Sequence, residues 1–177
     1  MTRASSLIVA AAMVLLARPA LAGPPLLCFP FEIGTAKSLP MGHGGWQETD
    51  PKYDVSHLVA DTLALLTPET PIKVRMETMR RAAVYASINP AVADALLKAL
   101  EDRAKVSREG AGLHVFDFGY LVETYKAAKP IFKMSIAGLE RIDGYQLVLK
   151  ARALHGDPAM EFAAKQIEMG YPKNTAR

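Results

Sequence analysis

The chain has 177 residues, half of them apolar and 22% charged, and carries a net charge of +3. That is too apolar for a disordered polymer, and a single cysteine, Cys28, excludes an internal disulfide framework. Two of the 21 basic residues, Arg3 and Arg18, fall in a first segment without acids, so the rest of the chain holds 19 basic against 18 acidic residues. A net +1 gives no electrostatic footprint for nucleic acid.

Arg3 precedes an unbroken apolar run from Leu7 to Leu16, and Ala20-Leu21-Ala22 follows with the small-x-small pattern that a signal peptidase cuts. The run is too short to cross a bilayer core of roughly 30 Å as a helix. Residues 1–22 therefore read as a cleaved signal peptide, with Gly23 as the new N-terminus and a periplasmic or secreted location for the product. No later stretch has the apolar length of a transmembrane segment.

Residues 23–53 hold five glycines and five prolines in 31 positions, interleaved with Leu26, Leu27, Phe29, Phe31, Leu39 and Trp46. Repeated proline breaks helical periodicity and drives the preceding residues toward extended backbone. The predicted structure is an irregular arm laid across a helical body, because so much apolar surface does not stay in water.

From residue 54 to about 172 the periodicity is helical. Asp54 caps a first helix carrying Leu58, Thr62, Leu65 and Leu66. Thr70-Pro71 opens a second, with Ile72, Met76, Met79, Ala83 and Ala86 on one stripe. Asn89-Pro90 opens a third with Leu96 and Leu100. After Gly110 and Gly112 a fourth carries Phe118, Leu121, Val122 and Tyr125 and stops at Pro130. Residues 129–142 are ambiguous. Asp143 caps a fifth helix, and Asp157-Pro158 opens a sixth that ends near Gly170 and Pro172. A polar side chain that accepts from first-turn amides, followed by proline where a missing N–H costs nothing, is a helix-start signal. No comparable run alternates as a strand does, so the expected fold is all-α, with about three antiparallel hairpins in a short solenoid-like stack or an irregular bundle.

Asn89-Pro90-Ala91 and Asp157-Pro158-Ala159 stand 68 positions apart, twice the 34-residue period of tetratricopeptide arrays. Over Arg81–Leu100 and Leu149–Glu168 the chain resembles tetratricopeptide and HEAT-like helical-repeat proteins. The intermediate copy departs from the pattern, since Thr124 falls inside the fourth helix. The resemblance implies a concave helical surface that binds a protein or peptide partner.

The chain contains no HExxH, CxxC or GxSxG motif and no phosphate-cradling loop. Asp54, His57 and Asp61 share one helical face, which a solvated first turn explains as well as a metal does. The leading functional expectation is a non-enzymatic binding protein without cofactor or metal. Its partner contacts are Trp46, Arg75, Arg80, Arg81 and Tyr120, the arginines gripping carboxylates through their guanidinium forks. Asp117, Tyr120 and Thr124 form a polar stripe opposite the core of the fourth helix, a facing wall for the groove. Glu77 and Arg81 are ordered as an i,i+4 ion pair. The alternative is a small-molecule-binding protein or thiol-dependent enzyme using Cys28 and His43, the latter in the glycine-rich loop Met41–Trp46.

Overall fold

A computed structural model describes residues 23–106 and 110–170. Among them are seven α-helices, two 3-10 turns and no strand: α1 (Pro25–Cys28), α2 (Leu58–Leu65), α3 (Ile72–Ala86), α4 (Pro90–Val106), α5 (Ala111–Phe132), α6 (Gly144–His155) and α7 (Pro158–Gly170), with the turns at Val55–His57 and Leu139–Arg141. The leader expectation and the stop at Pro172 lie outside the described residues. None of the described helices is long and apolar enough to cross a membrane.

The caps expected from the sequence bind first-turn amides, with one exception. Asn89 Oδ1 accepts from the Ala91 amide at 3.1 Å, Asp143 Oδ1 from Gln146 at 3.0 Å and Asp157 Oδ1 from Ala159 at 2.8 Å. Asp54 caps a 3-10 turn that leads into α2. Thr70 is the exception. Its hydroxyl donates back to the Leu65 carbonyl at 2.7 Å, closing the end of α2, and Pro71 stands at the N-cap of α3 without a side-chain cap.

α5 is longer than its internal glycine and proline signal. It begins after Gly110, in the left-handed region at φ 69°, and ends at Lys133, also left-handed, whose amide donates to Lys129. Pro130 sits inside its last turn and Gly112 inside its first. Gly112 and Gly119, two turns apart, let α6 approach closely. A Cβ at Gly119 would lie 2.7 Å from Leu147 Cβ and 2.8 Å from the Gly144 carbonyl, and one at Gly112 would lie 2.8 Å from His155 Cβ. Residues 133–143 form a turn, in which buried Met134 and Leu139 pin the backbone beside the second 3-10 turn.

α5 packs against α1, α3, α4, α6 and α7. A solenoid unit meets chiefly its neighbours in sequence, whereas here one central helix is surrounded. Phe116, Tyr120, Leu121, Val122, Tyr125 and Ala128 are fully buried along it. This has a direct consequence for the polar stripe. Asp117, Tyr120 and Thr124 do not face solvent opposite the core; they are fully buried, because the central helix has core on more than one side.

The segment before α2 is not wholly extended, since Pro25–Cys28 makes one helical turn. Leu26, Leu27 and Leu39 are buried with the helices. Phe31 meets Phe162 of α7 edge-on at 6.3 Å between ring centroids, Trp46 meets Phe132 at the end of α5 at 6.0 Å, and Tyr53 tilts against Tyr85 at 4.7 Å.

Candidate functional site

The α3 side chains expected to grip a partner grip the chain's own arm. Glu77 is fully buried and accepts from Arg80 Nε and Nη2, both at 2.8 Å, from Arg81 Nε at 2.7 Å and from the Phe31 amide at 2.9 Å. Arg80 Nη1 donates to the carbonyls of Trp46 at 2.9 Å and Leu27 at 3.4 Å, and Arg81 Nη1 to that of Leu39 at 2.6 Å. One turn on, the Tyr85 hydroxyl donates to the Pro40 carbonyl at 2.8 Å and accepts from the Asp50 amide at 3.0 Å. Except for a Ser38–Thr78 hydroxyl pair at 3.0 Å, these contacts reach backbone groups of residues 27–50. They supply partners that an arm without a neighbouring strand would otherwise lack. Burial raises the Glu77 carboxyl pKa, but the two guanidiniums and the Phe31 amide outweigh it and hold the group below its usual 4.5.

Arg75 is also inside. It is fully buried and pairs through Nη1 with Asp117 Oδ2 of α5 at 2.6 Å, while Nε donates to the Thr70 carbonyl at 3.0 Å and Nη2 to that of Thr67. Arg103 of α4 donates to the carbonyls of Leu63 at 3.4 Å and Leu66 at 2.8 Å. The two arginines thus tie the end of α2 and its following loop to the bundle, satisfying carbonyls that a helix C-terminus leaves without partners. Burial pushes Asp117 up to about 6 in spite of Arg75.

Of the five expected contact residues, Arg75, Arg80 and Tyr120 are therefore enclosed and inaccessible to a partner in this state. Arg81 is partly exposed but bound to Glu77 and Leu39, and Trp46 is half-buried against Phe132. The i,i+4 pairing of Glu77 with Arg81 is present; its burial comes from the arm.

His43 is exposed, and Cys28 is half-buried, its sulfur packed against Gly23. No hydrogen bond joins the two among the described residues. Burial raises the Cys28 thiol, with Arg80 opposing, so the group stays protonated and is a poor nucleophile. Of the acids on the first helical face, Asp54 is a cap and Asp61 accepts from the Tyr53 hydroxyl at 2.8 Å.

One concavity lies elsewhere, where α5, the second 3-10 turn, the start of α6 and the end of α7 converge. It is an open hollow of about 550 Å³, against about 300 to 420 Å³ for three other hollows on the described surface. Glu123 and Lys126 come from α5, Asp143 and Tyr145 from the start of α6, and Ile167 and Glu168 from α7. Lys126 Nζ donates to Glu123 Oε1 at 2.8 Å and to the Ile142 carbonyl at 2.6 Å, which fixes the turn against α5. The Tyr145 hydroxyl donates to Glu168, joining α6 to α7. Glycine at 144 is what admits Glu123 here, since a Cβ would fall 2.6 Å from its Oε1.

None of these cavity residues was expected from sequence to bind a partner; Asp143 was read only as a helix cap. Glu123 and Lys126 carry an i,i+3 signal, but Tyr145 and Glu168 are 23 positions apart and no local pattern connects them. No protein-family model matches the chain, and neither a curated protein nor a solved structure matches it.

Proposed function

We propose that this is an exported, non-enzymatic protein that binds a protein or peptide partner, and that the partner engages the cavity between α5, α6 and α7. The observation that carries this reading is a hollow of about 550 Å³ lined by hydrogen-bonded polar groups together with Ile142, Ile167 and Tyr145. Binding sites commonly have that size and that mixture of surfaces. The arginine-bearing face of α3 is unsuited to an external partner while the arm occupies it. The alternative, a thiol-dependent enzyme using Cys28 and His43, has no comparable support, because the thiol is held protonated.

The test is a nuclear magnetic resonance titration of the isotopically labelled protein with pools of capped hexapeptides. Saturable shifts at the amides of Ile142, Tyr145 and Glu168 are expected. Saturable shifts confined to other faces, or none from any pool, contradict the proposal.

A further inference from the structure

We propose that residues 38–50 are a strap that opens on a second binding site, the Thr78–Tyr85 stretch of α3, and that this site takes an extended peptide carrying a leucine-sized apolar side chain. The site is separate from the cavity between α5, α6 and α7 and does not depend on it. Its chemistry is visible in its present occupant. Arg81 Nη1 donates to the Leu39 carbonyl at 2.6 Å, the Tyr85 hydroxyl to that of Pro40 at 2.8 Å, and Arg80 Nη1 to that of Trp46 at 2.9 Å. The Tyr85 oxygen also accepts from the Asp50 amide at 3.0 Å. These contacts read main-chain groups, which any extended segment supplies; the Ser38–Thr78 hydroxyl pair is the one exception. The buried Leu39 side chain is the apolar anchor.

Two observations make this segment a strap rather than a fixed part of the core. The first is how little holds it. Among residues 38–50 only Leu39 is buried, and a segment with few buried apolar groups opens before the fold as a whole does. Trp46 adds an edge-on contact with Phe132 at 6.0 Å. The bonds from the Gly42 amide to the Glu48 carbonyl at 3.0 Å and from the Glu48 amide to the Gly45 carbonyl at 3.1 Å lie within the strap, so it keeps its own shape as it lifts. Its flanks stay fixed, by buried Leu26 and Leu27 on one side and by Tyr53 against Tyr85 on the other. The second observation is that the donors do not need the strap to order them. Arg80 Nε and Nη2 and Arg81 Nε are held by Glu77 of the same helix, which is itself bonded to the Phe31 amide outside the strap. Opening therefore leaves two Nη1 groups, the Tyr85 hydroxyl and the Leu39 position set for an incoming main chain, and such preorganisation lowers the ordering cost of binding.

The probe is a capped, fluorescein-labelled peptide of the strap's own sequence, residues 38–50, titrated into the full chain and followed by fluorescence anisotropy. Leu39→Ala in the protein removes the anchor of the strap and changes nothing on α3. This variant should bind the probe about tenfold more tightly than the wild type, or better, because apparent affinity scales with the open fraction. Trp46→Ala should act in the same direction and keeps the question decidable where Leu39→Ala does not fold. Adding Arg81→Ala to either variant should weaken binding about tenfold, the loss of one charged hydrogen bond. Within the probe, His43→Ala, Gln47→Ala and Glu48→Ala together should leave binding unchanged, whereas Leu39→Asp should abolish it. In isotopically labelled protein the Arg81, Tyr85 and Phe132 amides should shift with the probe. Equal binding by the wild type and both loosened variants, including none by any of them, overturns the inference. Binding indifferent to Arg81→Ala also overturns it, as do shifts confined to the Tyr145 and Glu168 amides, which would put the peptide in the far cavity instead.

Discussion

At the scale of the residue, the buried charges decide which side chains the fold can spare. Arg75 holds a buried counterion and two loop carbonyls at once. Arg75→Met leaves Asp117 alone in the core, which typically costs about 3–5 kcal/mol. Urea unfolding at pH 7 should show a loss of that size. At pH 5 the loss should be smaller, because a carboxyl already raised to about 6 with its partner present takes up a proton once the partner is gone. An equal loss at the two pH values would show that Asp117 is not the group left unpaired. Gly119 tests the packing of α5 on α6. On an open helix face, Gly→Ala stabilises by about 0.5–1 kcal/mol. Here the added methyl meets Leu147 Cβ at 2.7 Å and a carbonyl at 2.8 Å, so Gly119→Ala should instead destabilise by about 1–3 kcal/mol in the same assay. A stabilised variant would mean that the two helices lie farther apart.

At the scale of the element, the arm depends on α3. Glu77→Gln removes the charge that orders Arg80 and Arg81, and those two arginines in turn hold the Leu27, Leu39 and Trp46 carbonyls. Limited proteolysis of this variant should cut first between residues 29 and 50, with the helical body resistant; first cuts within α4 to α7 would contradict the clasp. The elements themselves were largely legible in the chain. Asx-Pro junctions announced α4 and α7, and the stripe Ile72, Met76, Met79, Ala83 announced α3. Two kinds of information were not local. Gly112 and Pro130 read as helix ends, but a central helix stabilised on several sides tolerates both, the glycine being needed for α6 to approach. Arg75, Arg80 and Tyr120 read as surface because a charged or polar stripe looks the same whether water or another segment covers it. Only the position of the arm and the centrality of α5 distinguish the two cases. The cavity was illegible for the same reason, being assembled from ends of elements far apart in sequence.

At the scale of the whole molecule, two buried carboxyls pull the pH dependence of stability in opposite directions. Asp117 has a folded value of about 6 against the usual 3.8, so the native state binds its proton more tightly and this group's contribution falls as pH rises through that interval. Glu77 is held below 4.5, so its contribution is complete above that value and is lost as pH falls through its lower folded value. Unfolding followed by helical circular dichroism should therefore show the combined contribution of these two groups greatest at about pH 4, where the two intervals meet, with Glu77→Gln flattening the acid limb alone. A profile that rises steadily from pH 4 to pH 7 would show that Asp117 is not held up by burial. The chain's own residues 27–50 occupy the arginine-bearing face of α3, and the function proposed above therefore looks to the cavity between α5, α6 and α7. Native-state hydrogen exchange at the Phe31 and Asp50 amides measures this directly, since their acceptors are the side chains of Glu77 and Tyr85 rather than any helix or sheet. Both amides should be protected in the wild-type protein, and Phe31 should lose that protection in Glu77→Gln. Exchange of both at the rate of an open chain, in a protein whose helices remain protected, would contradict it.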